Sequence, residues 1–257
     1  MAYIQCRFFS EVLGLNTSMS VILPEPGPAD SPQQSGPYRV LYLLHGLSDD
    51  DTAWVRQTAI ERYVAGLGIA VVMPQVFHSF YTNMTNGGMV SGGRFWTFIS
   101  EEVPRIAQSF FPISAAREDN FVAGLSMGGY GAFKLALSHP ERYAAAASLS
   151  GALDIRTIKQ RMPELYTQLF GDKDITGTGD DLFHLLERTS STASVKPKLY
   201  QACGTEDFLY VENVAFRNAL STSGMDYIYE EGPGEHNWDY WDARIRDVLK
   251  WLPMNNK

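Results

Sequence analysis

Cysteine is nearly missing: Cys6 and Cys203 are the two in 257 residues, far apart and in no metal-ligand spacing. That excludes a disulfide framework and a zinc site of the usual kind, and a reduced compartment is compatible with it. No apolar run reaches eighteen residues, so no membrane span is expected. The opening Met1-Ala-Tyr-Ile-Gln-Cys-Arg-Phe-Phe9 lacks a basic region followed by a long apolar stretch and a small-residue cleavage site, which argues against secretion. Clusters of Lys or Arg are also missing, and the formal net charge is −8, so nucleic acid is not an expected partner. Neutral small molecules remain the open class of ligand, and nothing in the sequence calls for a cofactor or a metal.

What is present is an alternation of strand and helix patterns on a chain long enough for one large α/β domain over residues 1–257. Residues 3–9 and 18–23 read as two early antiparallel strands. Residues 24–37, rich in Pro, Gly and Ser, read as a surface excursion and not a linker. The solid apolar run 39–44 is the mark of a central strand covered on both faces, and His45-Gly46-Leu47 closes it. Residues 48–54 supply capping groups and negative charge for a helix to about Gly66, and the three aspartates there are assigned to that turn. Residues 70–74 form the next buried strand, followed by a polar, aromatic loop at 75–83 and a Gly-rich stretch at 86–93. From Phe95 to Phe110 the apolar positions keep helical spacing, with Pro104 as a kink.

Further strands are expected at 144–149, 199–203 and 226–230, and helices at 211–221 and 237–251. The alternation predicts an α/β fold with a mostly parallel central sheet and helices on both faces. Residues 154–195 carry helical pieces, 158–170 and 182–188, but no strand. They read as an insertion over the carboxyl edge of the sheet, a partial lid or pocket wall. Within it, Asp172-Lys-Asp174-Ile-Thr176-Gly177 matches half a calcium loop, but Phe183 stands where a bidentate Glu is wanted, so it reads as a polar turn.

The chemistry is concentrated in Asn120-Phe-Val-Ala-Gly-Leu-Ser-Met-Gly-Gly-Tyr130. A bare G-x-S-x-G arises by chance in roughly one chain in seven of this composition, so context must decide. Here an apolar strand ends at the first glycine and a helical pattern starts at the last. A serine held on that turn needs glycine two places before and after it, because a Cβ there would collide as strand and helix close. Ser126 is the candidate nucleophile, and the Met127 N–H at the helix N-terminus suits an oxyanion.

A serine hydroxyl needs a base, and the base needs a third group to fix its tautomer. Five histidines compete. His45 precedes the nucleophile, His139 reads as a helix C-terminal residue, His184 lies in a helical piece and His78 in a loop. His236 follows the last strand in a glycine-bearing loop, as the chain order Ser, Asp/Glu, His requires. In Gly204-Thr-Glu-Asp207 both Glu206 and Asp207 are in range as the acid, and the shorter Asp207 is favoured. The second oxyanion donor would come from the loop after the third strand, at the Leu47 N–H. Trp54, Tyr81, Phe208 and Trp238 are candidate pocket residues, with ordinary core as the competing assignment.

With these residues in hand the chain resembles the esterase branch of the α/β-hydrolases that holds esterase D (S-formylglutathione hydrolase), feruloyl and acetylxylan esterases and the antigen 85 mycolyltransferases. It looks most like bacterial tributyrin esterases. The likeness runs through Leu43-Leu-His-Gly-Leu47, Phe80-Tyr-Thr-Asn83, Gly124-Leu-Ser-Met-Gly-Gly-Tyr-Gly131, Cys203-Gly-Thr-Glu-Asp-Phe208 and His236-Asn-Trp-Asp-Tyr-Trp241. The resemblance implies an α/β-hydrolase fold, a triad of Ser126, Asp207 and His236, oxyanion donors at Leu47 and Met127, and short acyl chains on neutral alcohols. It also implies a cytoplasmic protein, often a homo-oligomer. An acyltransferase or a carbohydrate esterase could use the same triad. The ending from His236 to Trp241 does not resemble that of esterase D, which ranks S-formylglutathione lower. A non-catalytic protein on this fold would be expected to have lost a triad member, and none is missing.

Overall fold

The computed structural model describes residues 1–25, 36–86 and 93–254. Most of the Pro-rich stretch read as a surface excursion, and most of the Gly-rich stretch after residue 86, lie outside the described residues. Eight strands build the sheet: β1 (Ala2–Ser10), β2 (Leu15–Leu23), β3 (Arg39–Leu44), β4 (Ile69–Pro74), β5 (Asn120–Leu125), β6 (Ala145–Leu149), β7 (Lys198–Gly204) and β8 (Tyr227–Gly232). Their spatial order is β1-β2-β4-β3-β5-β6-β7-β8. The β1–β2 and β2–β4 pairs are antiparallel and the rest parallel, so the mostly parallel sheet expected from the alternation carries an antiparallel edge.

Strands β4 and β5 are buried at every position, and β3 at all but its first, as continuous apolar runs require when helices cover both faces. Alternate residues of β3 serve different cores. Val40, Tyr42 and Leu44 pack with Met127, Tyr130 and Phe133, whereas Leu41 and Leu43 pack with Trp54, Trp241 and Ile245. Each such fully buried side chain contributes about 2 kcal/mol. No helix among the described residues is long and apolar enough to cross a membrane.

Three elements differ from the sequence pattern for local reasons. The helix expected to run to Gly66 is two short ones, Ala53–Gln57 and Ile60–Val64. Thr58 takes extended backbone, and its hydroxyl donates to Trp54 O at 2.5 Å, ending the first helix as a competing side-chain bond can. The aspartate cap is a turn before the helix: Asp50 Oδ1 accepts the Thr52 N–H at 2.8 Å.

The segment from Phe95 is not one kinked α-helix. A short α-turn (Phe95–Thr97) passes into a π-helix (Phe98–Glu102) and then an α-helix (Val103–Phe110). Pro104 thereby falls in a first turn, where its missing N–H costs nothing. The buried Glu102 carboxylate accepts the Ser10 hydroxyl and the Glu11 N–H, pinning the β1–β2 turn.

The insertion divides. Met162 has φ −143°, which separates Ile158–Arg161 from Pro163–Phe170. Helix Leu182–Thr192 packs against the helices Met127–Ser138 and Tyr210–Ser223 and shares their core through Leu185 and Leu186. Asp174 accepts the Thr176 N–H at 2.9 Å, the bond of a polar turn.

Candidate active site

Strand β5 stops at Leu125 and the helix Met127–Ser138 starts one residue later, leaving Ser126 alone on the corner. Its φ of 53° and ψ of −119° lie in a region that costs a side-chain-bearing residue about 1–3 kcal/mol. Surrounding bonds hold it there: Ser126 N–H donates to Leu149 O at 2.9 Å, and Ser126 O accepts from the N–H groups of Tyr130 and Ala152, each at 3.1 Å. The flanking glycines are sterically required. A Cβ on Gly124 would run into the Gly128 carbonyl, and one on Gly128 into the carbonyls of Leu44 and His45.

The loops after β7 and β8 are tied together by Thr205 N–H to Gly232 O at 2.9 Å and Glu206 N–H to Gly234 O at 3.1 Å. Asn237 caps the helix Trp238–Trp251 by accepting the Tyr240 N–H at 3.1 Å, which fixes His236 one residue before the cap. The imidazole then lies between Asp207 and Ser126. His236 Nδ1 is 2.9 and 3.0 Å from the two Asp207 oxygens, and Nε2 is 2.9 Å from Ser126 Oγ. An ionised carboxylate can only accept, so Nδ1 carries the proton and Nε2 is the acceptor for the serine hydroxyl.

Asp207 is buried and also accepts the Leu209 N–H at 2.8 Å. The rings of Phe208 and Trp241 flank the imidazole, with centroids at 4.5 and 4.9 Å. Glu206, the other candidate acid, turns away: its oxygens accept from Gly234 N–H at 2.5 Å and the Thr205 hydroxyl at 2.8 Å.

The Met127 N–H opens its helix, where no earlier carbonyl is available. Neither it nor the Leu47 N–H has a backbone acceptor among the described residues. His45 fixes the second of these. Its Nε2 accepts the Val76 N–H at 3.2 Å, so its Nδ1–H donates to Gly46 O at 2.7 Å. Gly46 C=O and Leu47 N–H share one peptide plane, so the ring sets where that N–H points. Burial above all lowers the His45 pKa, keeping the ring neutral for this double role.

A cavity of about 540 Å³ opens at Ser126 and His236. Phe80, Leu125, Met162, Leu209, Trp238 and Trp241 supply apolar wall, and Phe208 and Arg161 stand in its lining. Of the four aromatic candidates, Phe208 and Trp238 therefore line the cavity. Trp54 and Tyr81 do not: both are buried, with Trp54 Nε1–H donating to Leu44 O at 3.1 Å and Tyr81 O–H to His45 O at 3.0 Å. They brace the loop behind the site. Phe80, Asp49, Arg161 and Met162 also line the cavity without having been expected to, although Phe80 opens the Phe80-Tyr-Thr-Asn83 motif and Asp49 lies two residues after Leu47.

Residues 10–252 match the family model described as "Putative esterase". An acetyl esterase of Caldicellulosiruptor saccharolyticus is 32% identical, covering 98% of this chain and 98% of its own. FphF, a fluorophosphonate-binding serine hydrolase of Staphylococcus aureus, is 36% identical over 99% of both chains, with a TM-score of 0.90. An S-formylglutathione hydrolase (FrmB) of the same organism is also 36% identical over 99% of both, with a TM-score of 0.87. The chain belongs to this esterase family of the α/β-hydrolases and is a carboxylic ester hydrolase.

Proposed function

We propose that the protein hydrolyses short-chain acyl esters of neutral alcohols through an acyl-enzyme formed on Ser126. The reading is carried by the 2.9 Å contact between Ser126 Oγ and His236 Nε2, with the far side of the ring held by Asp207. Ser126 Oγ attacks the ester carbonyl carbon as its proton passes to His236 Nε2. The C–O bond to the alcohol breaks, and the imidazolium returns that proton to the departing alkoxide. Water then attacks the acyl carbon, giving a proton to the same nitrogen, and Ser126 leaves with it. Asp207 stabilises the imidazolium. The N–H groups of Leu47 and Met127 are the oxyanion donors in this scheme, each worth about 3 kcal/mol of barrier. A cavity of about 540 Å³ suits a small acyl group with a compact alcohol.

Ser126→Ala should keep the fold, by circular dichroism, and lose turnover of a short p-nitrophenyl ester by at least about 10⁴-fold. A fluorophosphonate should label the parent protein and not the variant. Retention of a tenth of the activity would reject the assignment. A second reading, thioester cleavage of S-formylglutathione, is favoured by the FrmB likeness. Comparing kcat/KM for that thioester with acetyl and butyryl esters, acetylated xylan and feruloyl sugars separates the readings, and an added acceptor alcohol tests for acyl transfer.

A further inference from the structure

Asp49 lines the cavity from the loop that carries Leu47, and the reaction scheme does not use it. A Cβ built on Gly46 would meet Leu125 Cδ1 at 2.7 Å and lie 3.0 Å from Asp49 Oδ2 and 3.8 Å from the Ser126 Cβ, so the Asp49 carboxylate and the Ser126 side chain both approach Gly46, and both line the cavity. Its two neighbours are occupied elsewhere. Asp50 bonds Thr52 and Arg56, and Asp51 accepts the hydroxyls of Ser18 and Ser20. Asp49 accepts from no side chain among the described residues; the Gly46 N–H faces it. Burial, its largest influence, raises the carboxyl pKa, as expected of an acceptor short of donors. The cation in the cavity lining is Arg161, and it is engaged with Glu212 Oε1 at 2.9 Å and Thr157 Oγ1 at 2.9 Å. A molecule entering thus meets a carboxylate with acceptor capacity left beyond its bond from the Gly46 N–H, while the positive charge of Arg161 is already paired.

We propose that Asp49 is a specificity-determining residue that selects esters carrying a hydroxyl donor or a cation near the scissile carbonyl and rejects esters carrying a carboxylate there. The proposal rests on Ser126 being the nucleophile. A hydroxyl gains a charge-assisted bond to the carboxylate. A second carboxylate within several ångströms is repelled strongly enough to lower kcat/KM by on the order of 10-fold. This sets polyol or sugar esters above thioesters of acidic peptides as substrates of the site.

The test uses three phenyl acetates that differ at the para position: hydroxymethyl, carboxylate and trimethylammonium. In the native protein at neutral pH the carboxylate ester should fall about 10-fold below the hydroxymethyl ester, and added salt should narrow that gap. Asp49→Asn should raise the carboxylate-to-hydroxymethyl ratio about 10-fold, lower the trimethylammonium-to-hydroxymethyl ratio, and remove the salt effect on both. Asp49→Glu should keep the native order. Each ratio is internal to one protein, so a smaller folded fraction does not alter it, and Asp49→Ser provides a second variant. A ratio in both neutral variants within about twofold of the native one overturns the proposal. Failure of the catalytic reading looks different: full turnover by Ser126→Ala, or no hydrolysis of any of the three esters by the native protein.

Discussion

At Glu206 and Asp207, consecutive carboxylates face opposite ways, one closing a turn on Gly234 and the other buried against His236. Asp207→Asn should lower kcat by about 10³-fold or more, because the amide can donate to Nδ1 and favour the wrong tautomer. Glu206→Gln should change it by less than about threefold; the opposite ranking in steady-state kinetics would move the acid by one residue. Asp49 carries a stability signature as well. Its folded-state pKa is raised above the ordinary 3.8, chiefly by burial. The folded chain therefore binds this proton more tightly than the unfolded one. The stabilising contribution is full below 3.8 and is lost as pH rises through the raised value. Asp49→Asn should accordingly melt at a higher temperature than the native protein at neutral pH, with the gap closing in acid; equal melting at neutral pH would contradict it. The convergence of Ser126, Asp207 and His236 was legible because each sits in a motif with a fixed place relative to a strand end. The roles of Trp54 and Tyr81 were not, since an aromatic beside a loop can face the cavity or brace the loop from behind, and spacing does not distinguish the two.

At the scale of elements, the loop after β4 is held by two hydrogen bonds at Tyr81. Lys134, buried in the helix Met127–Ser138, donates to Tyr81 O at 2.9 Å and to Asp180 Oδ1 at 2.5 Å, and Tyr81 O–H reaches His45 O. Residues Phe77, Phe80 and Tyr81 all have positive φ, a conformation that needs such outside support. Removing the hydroxyl with Tyr81→Phe should cost about 1 kcal/mol of stability. It should also lower kcat about 10-fold with a smaller change in KM, because Tyr81 O–H holds the His45–Gly46 peptide and its loss loosens the next peptide, which carries the Leu47 N–H. Unchanged kcat would mean that His45 alone orients that peptide. The strand runs were readable, since β3, β4 and β5 are apolar but for Arg39 and Asn120 at the first positions of β3 and β5. Helix interruptions were less so: Thr58 ends a helix through a bond to Trp54 O, and the turn before Pro104 widens to a π-helix, neither of which alters hydrophobic spacing.

For the whole molecule, the two cores are separated only by the sheet, and β3 feeds both through alternate residues. Loss of either core would strip one face of the same strands, so unfolding should be a single cooperative event. Circular dichroism and tryptophan emission should give coincident denaturant transitions, and two resolved midpoints would refute the coupling. One row of rings joins this frame to the candidate site. Trp54 meets Trp238 edge-on at 5.1 Å, Trp238 meets Trp241 at 5.3 Å, and Trp241 meets the His236 imidazole at 4.9 Å. Because excitation passes readily between indoles this close and a protonated imidazole quenches them, the molecule carries a built-in optical gauge. Occupancy beside Trp238 can be followed by light without attaching a dye.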